Sequence, residues 1–556
     1  MEYLRFLKQQ SNTVGAVFVA VAILSGLSTG VLVGVIISGA TAPRGSSEEL
    51  RTLILFAASF MLFTLTRKYI LDGTARTVGQ VICKVRVRIV DLIPRTELTA
   101  FEAIGRTQIS QALSQDVQAM SEAAYSVTSA FASAVLVVCA FSYIAMLSVS
   151  ACLLILCLLG VGAFIYWGNY ASTRRLLDAS WHAETAFFDH LSDQLSGFNE
   201  LKLNPAKAQD LLENDVKAMA FESARAKLAI SRSFNWNMIF GQAFFYAVMA
   251  ICVFAMPRVI GDGIPLLRLV SVILFINGPI AEVIAAAPFL ARANFAIRKV
   301  NALEAALRAA ADDRVQTTMV SEKFRSLHCE GITYRYPRAP GQREFAIGPL
   351  DLDIRRGEIT FVIGGNGTGK STFLKLLCGL LPPDAGTIML NDHVITPSLR
   401  TYYRSAFAII LQDFRLFRRL LGLPSFPREQ VDGLLATLQL TGVTEVSADG
   451  AFSSTKLSTG QKKRLALLVA ELDEREIYIF DEWAADQDPE FRKYFYESYL
   501  KQLRGCGKTV IAATHDDHYF HVADRIIKLD GGRICSVTAG DDTRREPSRS
   551  QLRVGA

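Results

Sequence analysis

The stretch ITFVIGGNGTGKSTFLKLLCGLL, residues 359–381, joins an apolar run to a glycine-rich loop and then to a second, longer apolar pattern. Its loop has the spacing Gly364-x-x-x-x-Gly369-Lys370-Ser371. Glycines let the backbone curl until its N–H groups face phosphate oxygens, and a following helix adds the positive end of its dipole. The order of strand, loop and helix therefore predicts a P-loop within an α/β nucleotide-binding domain.

The P-loop assignment gives its side chains expected roles toward ATP and Mg²⁺. We expect the Lys370 ammonium to reach the β- and γ-phosphates and the Ser371 hydroxyl to bind Mg²⁺. The nucleotide-binding residues predicted here are Gly364, Asn366, Gly367, Gly369, Lys370, Ser371 and Thr372. ATP and Mg²⁺ are thus the cofactors that the sequence predicts.

A second motif, EIYIFDE at residues 476–482, supplies the other metal anchor that a P-loop requires. Its continuous apolar run is typical of a buried parallel strand. Asp481, at the strand end, is predicted to hold Mg²⁺ through water, and Glu482 is predicted to polarise the attacking water. An Asp-Glu pair that only caps a helix is the alternative interpretation.

The segment KLSTGQKKRLALLVAEL, residues 456–472, lies between these motifs and completes a set that resembles the ABC ATPases. Its LSGGQ-type signature is Leu457-Ser458-Thr459-Gly460-Gln461. The resemblance implies that Ser458, Gly460 and Gln461 contact ATP held by the opposite chain of a dimer. A chain with one P-loop and one signature would then need a second copy of itself.

Three further positions match the ABC pattern in order and spacing. By resemblance, Tyr336 stacks on adenine, Gln412 links Mg²⁺ and water to the membrane domain, and His515 lies beside the γ-phosphate. The residues expected to serve catalysis are Glu482, His515 and Gln412. Those expected to serve the metal are Ser371, Gln412 and Asp481.

Four longer stretches narrow the resemblance. GFNELKLN at 197–204, LSTGQKKR at 457–464, FDEWAADQDPEFRKYFY at 480–496 and THDDHYFHVADR at 514–525 look like the cyclic-peptide exporter family of ABC half-transporters. That family includes pyoverdine-type siderophore, syringomycin-type lipopeptide and lasso-peptide exporters. It implies a six-helix exporter domain fused to one nucleotide-binding domain, twelve helices in a homodimer.

Two departures from the broader ABC pattern leave the geometry of the partner contact open. Thr459 stands where the signature usually has a second glycine, and Ala485-Asp486-Gln487-Asp488 replaces the usual Ser-Ala-Leu-Asp of the D-loop. Trp483, between the two acidic groups, is predicted to pack at the strand end.

The composition of the 556-residue chain divides it into an apolar half and a half typical of soluble α/β proteins. The net charge of +6 is spread out, which excludes the clustered basic face of a nucleic-acid binder. The nine cysteines form no CxxC pair, so buried reduced thiols are predicted rather than zinc ligands or disulfides.

The fold class predicted from this division is a membrane α-helical exporter domain fused to an α/β P-loop ATPase domain. An apolar helix needs about 20 residues to cross a bilayer. Spans are predicted near 13–39, 52–71, 126–147, 149–169, 236–256 and 265–290. The predicted domains are a transmembrane exporter domain at 1–300, a linker at 301–325, a nucleotide-binding domain at 326–540 and a disordered tail at 541–556.

Basic residues set the expected orientation. They concentrate in the two long connections, after the second and after the fourth span, which places these connections, both termini and the ATPase domain in the cytoplasm. The connections are predicted to continue the helices below the membrane, with turns at 91–105 and 195–209. The expected location is the bacterial inner membrane, as a multi-pass protein in contact with lipid.

Two residues of the sixth span are candidates for contact with substrate. A carboxylate at membrane depth costs about 2.5–3.5 kcal/mol, so Glu282 should face a cavity or a partner. A Glu that snorkels, or that pairs with a structural Arg, is the alternative. Asn277 opens the sequence Asn277-Gly278-Pro279, which is predicted to break the helix as a hinge or as a passive kink.

The leading functional hypothesis is ATP-driven export, by alternating access in a homodimer, of a cyclic peptide, lipopeptide or siderophore precursor. A multidrug or lipid ABC exporter is the second hypothesis. A membrane-anchored ATPase that regulates without transporting is the third. No nucleic-acid partner is expected.

Overall fold

The structure is a computed structural model that describes residues 16–41, 47–255, 266–311, 322–336, 345–423 and 426–540. Its described residues fall into two compact units. The first comprises those up to Thr96 together with Ala100–Ala311, and the second comprises Glu97–Thr99 together with those from residue 322 onward. The predicted tail lies outside the described residues.

The first unit is helical throughout its described residues. Its helices are α1 (Ala16–Thr41), α2 (Ser47–Leu92), α3 (Leu98–Ile104), α4 (Arg106–Gln111), α5 (Val117–Leu147), α6 (Val149–Ser196), α7 (Phe198–Leu203), α8 (Pro205–Asp210), α9 (Lys217–Ala250) and α10 (Leu266–Ala309), with short π-helical turns at Ala112–Asp116, Leu211–Val216 and Ile251–Ala255. A 3₁₀ turn, Ile93–Arg95, follows α2.

Length and composition make four of these helical stretches able to cross a membrane. Among the described residues, these stretches are Leu50–Arg95, Arg106–Leu147, Pro205–Ala255 and Arg268–Ala309. Two shorter helices, Ala20–Ile36 and Val149–Gly162, are also apolar. Each of the six predicted spans overlaps one of these stretches.

The helical extensions and turns predicted from sequence are confirmed. α2 continues to Leu92 and α6 to Ser196, well past the predicted spans. The short helices α3 and α7 lie within the predicted turns at 91–105 and 195–209. Prolines and glycines at these points end one helix and allow another to restart.

The predicted break at Asn277-Gly278-Pro279 is wrong. α10 runs without interruption from Leu266 to Ala309, with Pro279 and Pro288 inside it. A proline removes one backbone donor and bends a helix, but the turns on either side can hold it together. α10 also extends past residue 300, where the linker was expected, because Val300, Leu303 and Leu307 are buried against α2 and α5 in one apolar cluster.

All nine cysteines lie among the described residues, and none of them forms a disulfide there. The predicted burial holds for Cys152, Cys252, Cys329 and Cys378. It is wrong for four exposed cysteines, which are Cys83, Cys157, Cys506 and Cys535. Burial was predicted from the apolar runs around these thiols, and such runs do not fix which face of a helix or strand each residue occupies.

The second unit is built on two sheets. Its strands are β1 (Ser326–Arg335), β2 (Ala346–Arg355), β3 (Ile359–Ile363), β4 (Ala385–Leu390), β5 (His393–Val394), β6 (Phe407–Ile410), β7 (Ile477–Asp481), β8 (Thr509–Ala513), β9 (Arg525–Asp530) and β10 (Arg533–Ala539). The antiparallel sheet has the order β2-β1-β4-β5, and the larger sheet has the order β10-β9-β3-β8-β7-β6. In the larger sheet, β9, β3, β8, β7 and β6 are parallel, whereas β10 is antiparallel to β9.

Helices cover the larger sheet and connect its strands. They are α11 (Lys370–Leu377), α12 (Arg400–Arg404), α13 (Arg428–Thr437), α14 (Thr459–Leu472), α15 (Pro489–Tyr494) and α16 (Leu500–Gly505). The strands β3, β7 and β8 are almost wholly buried, as their unbroken apolar runs predict. The segment Glu97–Thr99 belongs to this unit, where Arg400 donates to the Glu97 carboxylate at 2.7 Å.

Candidate nucleotide-binding site

Four of the predicted motifs meet at one edge of the parallel sheet. The P-loop follows β3, His515 follows β8, Asp481 ends β7, and Gln412 follows β6. Because these strands are parallel and neighbours in the order β3-β8-β7-β6, their carboxyl ends lie side by side. The topology therefore brings together residues that are far apart along the chain.

The Lys370 ammonium lies at the centre of this group. It donates to the carbonyl oxygens of Gly364 at 3.1 Å and Gly365 at 3.2 Å. Its Nζ is also 2.8 Å from His515 Nε2 and 3.5 Å from Glu482 Oε1. The P-loop lysine, the histidine and the glutamate thus form a single polar cluster.

Glu482 holds its position with an uncommon backbone conformation. Its φ of 49° and ψ of 38° lie in the left-handed region, which non-glycine residues rarely adopt. Its carboxylate Oε1 is 3.1 Å from His515 Nε2, and a quarter of its side chain is exposed. The turn directs the carboxylate of Glu482 toward the imidazole rather than along the strand.

Asp481 has the features of a metal anchor. It is 2% exposed, lies beside the Ser371 hydroxyl and the Gln412 backbone N–H, and has a buried Oδ1 with no hydrogen-bond partner among the described residues. Burial raises the pKa of its carboxyl, and the Glu482 charge adds to the shift, while the Ser371 hydroxyl, the Gln412 backbone N–H and the Lys370 charge oppose it. Carboxylate and hydroxyl oxygens are the ligands that Mg²⁺ prefers, so these residues fit the ion.

The P-loop itself depends on its last glycine. Gly369 precedes α11 with φ of 100°, and a Cβ there would lie 3.0 Å from the Phe345 ring. Tyr336 approaches the same helix, with its hydroxyl 3.4 Å from Thr372 Oγ1. Asn366 and Gly367 are exposed at the tip of the loop. Tyr336 therefore lies next to the P-loop helix, as its predicted role beside the nucleotide requires.

The signature lies at the exposed start of α14. Ser458 caps this helix through a capping box with Gln461: its backbone N–H donates to Gln461 Oε1 at 3.1 Å, and Gln461 N–H donates to its hydroxyl at 3.3 Å. Within the described parts of the chain, no hydrogen bond or ion pair joins Ser458, Gly460 or Gln461 to the P-loop. The structure thus leaves the signature apart from the site centred on Lys370.

Sequence reasoning missed two basic residues of α14, Lys463 and Arg464. Both are buried, and both reach the loop that follows Glu482. The sequence did contain a signal, because both positions fall within the apolar pattern of α14. Lysine and arginine are almost never buried unless they are paired, so this placement predicts two buried ion pairs. Trp483 is 1% exposed, and its ring stacks on that of Phe495 with the ring centroids 4.3 Å apart. This burial confirms the predicted packing role.

The substrate candidates lie in the first unit, on α10. Glu282 accepts hydrogen bonds from the hydroxyls of Ser129 and Ser133, and Arg67 Nη2 lies 3.9 Å from its Oε1. Arg67 also donates to Ser129 at 2.8 Å. Asn277 is half-buried on the same helix. The Glu282 carboxylate therefore has partners on α2 and α5, an arrangement that favours the alternative of a paired glutamate.

A separate cavity of about 320 Å³ lies among α1, α5 and α10. Its walls are mostly apolar, and the residues around it include Gly30, Gly34, Leu136, Tyr143, Arg268 and Phe275. Neither Glu282 nor Asn277 lines it. This cavity could not be predicted from the sequence, because its walls are ordinary membrane-helix residues.

Comparison with known proteins agrees with this geometry. Residues 347–485 match the family model described as ABC transporter. The ATP-binding protein SyrD of Pseudomonas syringae pv. syringae is 30% identical over 472 residues, which cover 82% of this chain and 83% of that protein. The energy-coupling factor transporter ATP-binding protein EcfA1 of Mycoplasma pneumoniae is 31% identical over 221 residues, 37% of this chain and 76% of that protein.

A solved structure of a bacterial Atm1-family ABC exporter with ATP bound superimposes with a TM-score of 0.75. The superposition covers 95% of each chain at 16% sequence identity, which establishes the fold. The match to SyrD covers more of the chain than the second unit contains, and so extends into the membrane helices. The chain therefore belongs to the ABC transporter family: it is a membrane-spanning half-transporter with the exporter fold, and its ATPase domain hydrolyses ATP to drive transport.

Proposed function

We propose that two copies of this chain form a homodimer that exports a peptide-derived secondary metabolite across the bacterial inner membrane by alternating access. The substrate class is a cyclic peptide, a lipopeptide or a siderophore precursor. The observation that carries the proposal is the 30% identity to SyrD over both units, together with the four stretches that resemble cyclic-peptide exporters.

The arrangement of the signature supports the homodimer. Ser458 and Thr459 are exposed at the start of α14, and Ser458 already satisfies the first turn of its own helix. A helix N-terminus with exposed donors favours a phosphate that approaches from outside the chain. A second copy would bring such a phosphate, because each chain has one P-loop.

The polar cluster around Lys370 supports the proposed roles in hydrolysis. Lys370 would bind the terminal phosphates, and Glu482 would take the proton of the attacking water, with His515 as the neighbour that orients it. Mg²⁺, held by Ser371 and Asp481, would neutralise developing charge on the phosphates. Gln412 follows β6 at the same edge, where its side chain is exposed and able to reach the metal site.

Closure of the two ATPase domains on ATP, and their release after hydrolysis, would drive the membrane helices between inward- and outward-facing arrangements. The segment Glu97–Thr99, from the first predicted cytoplasmic turn, packs within the second unit. This packing supports the proposal that the turn carries the motion.

Two places in the membrane unit are proposed for substrate contact. The first is the group around Glu282, with Asn277 one helical turn or so away on the same helix. The second is the apolar cavity that Arg268 and Tyr143 adjoin. An apolar wall with few polar groups suits an amphiphilic peptide.

Uptake into inside-out membrane vesicles tests the proposal. Vesicles that contain the full chain are given ATP and a fluorescently labelled cyclic lipopeptide. We expect ATP-dependent accumulation of this peptide, and none with Glu482→Gln. Chemical cross-linking of the same vesicles should give a dimer of the chain.

Two further probes separate the alternatives. A cationic dye and a labelled phospholipid are tested in the same vesicles. Accumulation of the dye or the phospholipid without the peptide would favour a multidrug or lipid exporter. ATP hydrolysis without accumulation of any probe would favour the regulatory ATPase.

A further inference from the structure

We propose that Lys463 is a positioning residue for ATP hydrolysis, because its ammonium fixes the backbone of Glu482 and so aims the Glu482 carboxylate. The inference rests on the general-base role that the proposed function gives to Glu482. Lys463 itself does not belong to the polar cluster around Lys370. It lies on α14, two residues after the signature.

The contacts of Lys463 reach the loop after β7 from the core side. Its side chain is 2% exposed, and its Nζ donates to the backbone carbonyl of Glu482 at 2.7 Å. The same Nζ is 2.7 Å from Asp486 Oδ2. In return, the Trp483 indole N–H donates to the backbone carbonyl of Lys463 at 3.0 Å. Lys463 is therefore tied to three of the five residues 482–486.

The Lys463 ammonium, bonded to the Glu482 carbonyl, helps to hold the backbone of Glu482 in its left-handed conformation. Residues held in the left-handed region cost free energy, and they persist where the surrounding structure over-determines them. Glu482 N–H donates to Ala513 at 3.1 Å, and Glu482 C=O accepts from Lys463. Both polar groups of the strained residue are thus bound, one by β8 and the other by α14.

Charge explains why a lysine is stable here. A buried ammonium is costly unless it is paired and hydrogen-bonded. Asp486 supplies the opposite charge, and its own side chain is 45% exposed, so the pair keeps some access to water. Among the described residues, the Lys463 ammonium thus bonds to a charged partner and a carbonyl while its stem fills the core.

The signature end of α14 is tied to the same loop by a second set of bonds. Gln487 Nε2 donates to the Gly460 carbonyl at 3.2 Å, and Arg464 Nε donates to Gln487 Oε1 at 2.8 Å. Asp486 O would lie 2.7 Å from a Cβ on Gly460, so the backbones are close enough to require glycine. The start of α14 and the loop 482–488 are therefore bonded together into one body.

This body connects two faces of one chain. Its signature end is the part proposed to contact the partner's ATP, whereas the Glu482 carboxylate faces this chain's own P-loop. A displacement of the signature would pass through Lys463 to the Glu482 carbonyl. Lys463 then determines whether Glu482 is aimed at its water when the signature is engaged.

The test is a double-mutant cycle on the full-length protein in lipid nanodiscs. The variants are Lys463→Met, Glu482→Gln and the combination, and the measurements are kcat, KM for ATP and direct ATP binding. Misplacing a catalytic group by about 1 Å can cost about 100-fold, so we expect Lys463→Met to lower kcat at least about tenfold. KM and ATP affinity should stay within about twofold, because the P-loop is untouched.

Non-additivity distinguishes positioning from general destabilisation. If Lys463 acts through Glu482, Lys463→Met should change the residual rate of Glu482→Gln less than about twofold. Lys493→Met is the matched control, because it also deletes a lysine–carboxylate pair, to Glu497 at 3.9 Å, but at the surface. It should leave kcat within about twofold.

A milder variant covers the case in which Lys463→Met does not fold. Asp486→Asn removes the charge that holds the ammonium and leaves the core side chain in place. We expect kcat to fall about two- to fivefold, again with no further loss in the Glu482→Gln background.

The outcomes separate the two proposals. Suppose that Glu482→Gln retains only a small residual rate. If the Lys463 or Asp486 variants lower that residual rate by the same factor as they lower the wild-type rate, or leave the wild-type kcat unchanged, the positioning role is wrong while the general-base role stands. If Glu482→Gln hydrolyses ATP at the wild-type rate, the general-base role fails, and the positioning role fails with it. If the Lys463 and Asp486 variants lower kcat when Glu482 is present but do not lower the residual rate of Glu482→Gln, both roles are supported.

Discussion

Glu482 of the ATPase unit and Glu282 of the membrane unit are both partly exposed carboxylates with a basic group nearby, yet their surroundings differ. Glu482 lies in a strained turn, where His515 and Lys370 are within 3.5 Å of its Oε1. Glu282 lies in a regular helix, and both of its oxygens accept serine hydroxyls. The Glu482 carboxylate faces groups that can exchange protons or bind phosphate, whereas the Glu282 carboxylate is bound by two hydroxyls with a guanidinium at 3.9 Å.

This contrast separates a carboxylate in a strained turn beside the P-loop from one in a regular helix that neighbouring helices bind. Strain at Glu482 is maintained by bonds to β8 and α14, which indicates that its orientation matters more than its local stability. At Glu282, two serine hydroxyls from α5 and the Arg67 guanidinium from α2 offset the cost of an acid in a membrane helix. Four variants test this difference between the two glutamates.

Glu482→Gln should have the largest effect. Removing a general base typically costs about 10²–10⁴-fold, so kcat should fall by that range while ATP binding persists. ATP hydrolysis and ATP binding by the purified full chain are measured together. Glu490→Gln, an exposed acid nearby, is the control. A kcat within tenfold of wild type would contradict the assignment.

Trp483→Ala should come next, because it removes the support beneath Glu482. The indole is 1% exposed, stacks on Phe495 and donates to the Lys463 carbonyl. Truncating a buried aromatic residue costs about 3–5 kcal/mol, which thermal unfolding of the ATPase domain should detect. Phe417→Ala, at an exposed phenylalanine, should change stability by less than about 0.5 kcal/mol. Equal losses for the two variants would argue against a structural role for Trp483.

Asp481→Asn should raise the Mg²⁺ concentration needed for half-maximal hydrolysis. An outer-sphere carboxylate typically contributes about 10–100-fold in metal affinity, and the Asp481 Oδ1 beside Ser371 has no partner in the described part of the chain. The measurement is a Mg²⁺ titration of ATPase activity at fixed ATP. Asp432→Asn, on the exposed face of α13, serves as control. Unchanged Mg²⁺ dependence would remove Asp481 from the metal site.

Glu282→Gln should have the smallest effect on ATP hydrolysis, within about twofold of wild type. The exchange weakens hydrogen bonds to Ser129 and Ser133, which should cost about 1 kcal/mol of stability. The ratio of peptide accumulated to ATP hydrolysed is measured in vesicles, with Ser133→Ala as the matched structural variant. A loss of accumulation in Glu282→Gln alone would support the proposed contact of Glu282 with the substrate. A loss of ATP hydrolysis as large as that of Glu482→Gln would end the comparison.

The motifs of the ATP site are visible in the sequence because the chemistry of phosphate binding fixes the spacing of residues. A loop around phosphates needs Gly364 and Gly369 at set intervals, and a strand end needs its acid at Asp481. Parallel strands then place His515 and Gln412 at the same edge without further information. The long helices and their turns were equally predictable, since proline and glycine interrupt otherwise apolar or alanine-rich segments.

Long-range partners could not be predicted. Nothing near Glu282 in sequence indicates Ser129, Ser133 or Arg67, which come from other helices. The link from Lys463 to Asp486 likewise depends on how α14 packs beside β7. The continuity of α10 through Pro279 is decided by packing on both sides, which outweighs the local preference for a break.

Trp483 also gives the protein an optical property. The chain has four tryptophans, and Trp483 is the only one between residues 326 and 540. With the other three replaced by phenylalanine, its emission would come from an indole adjacent to Glu482 and hydrogen-bonded to α14. Changes in its intensity or wavelength on adding ATP would then time, in a stopped-flow instrument and without any attached dye, each rearrangement of the turn that carries Glu482.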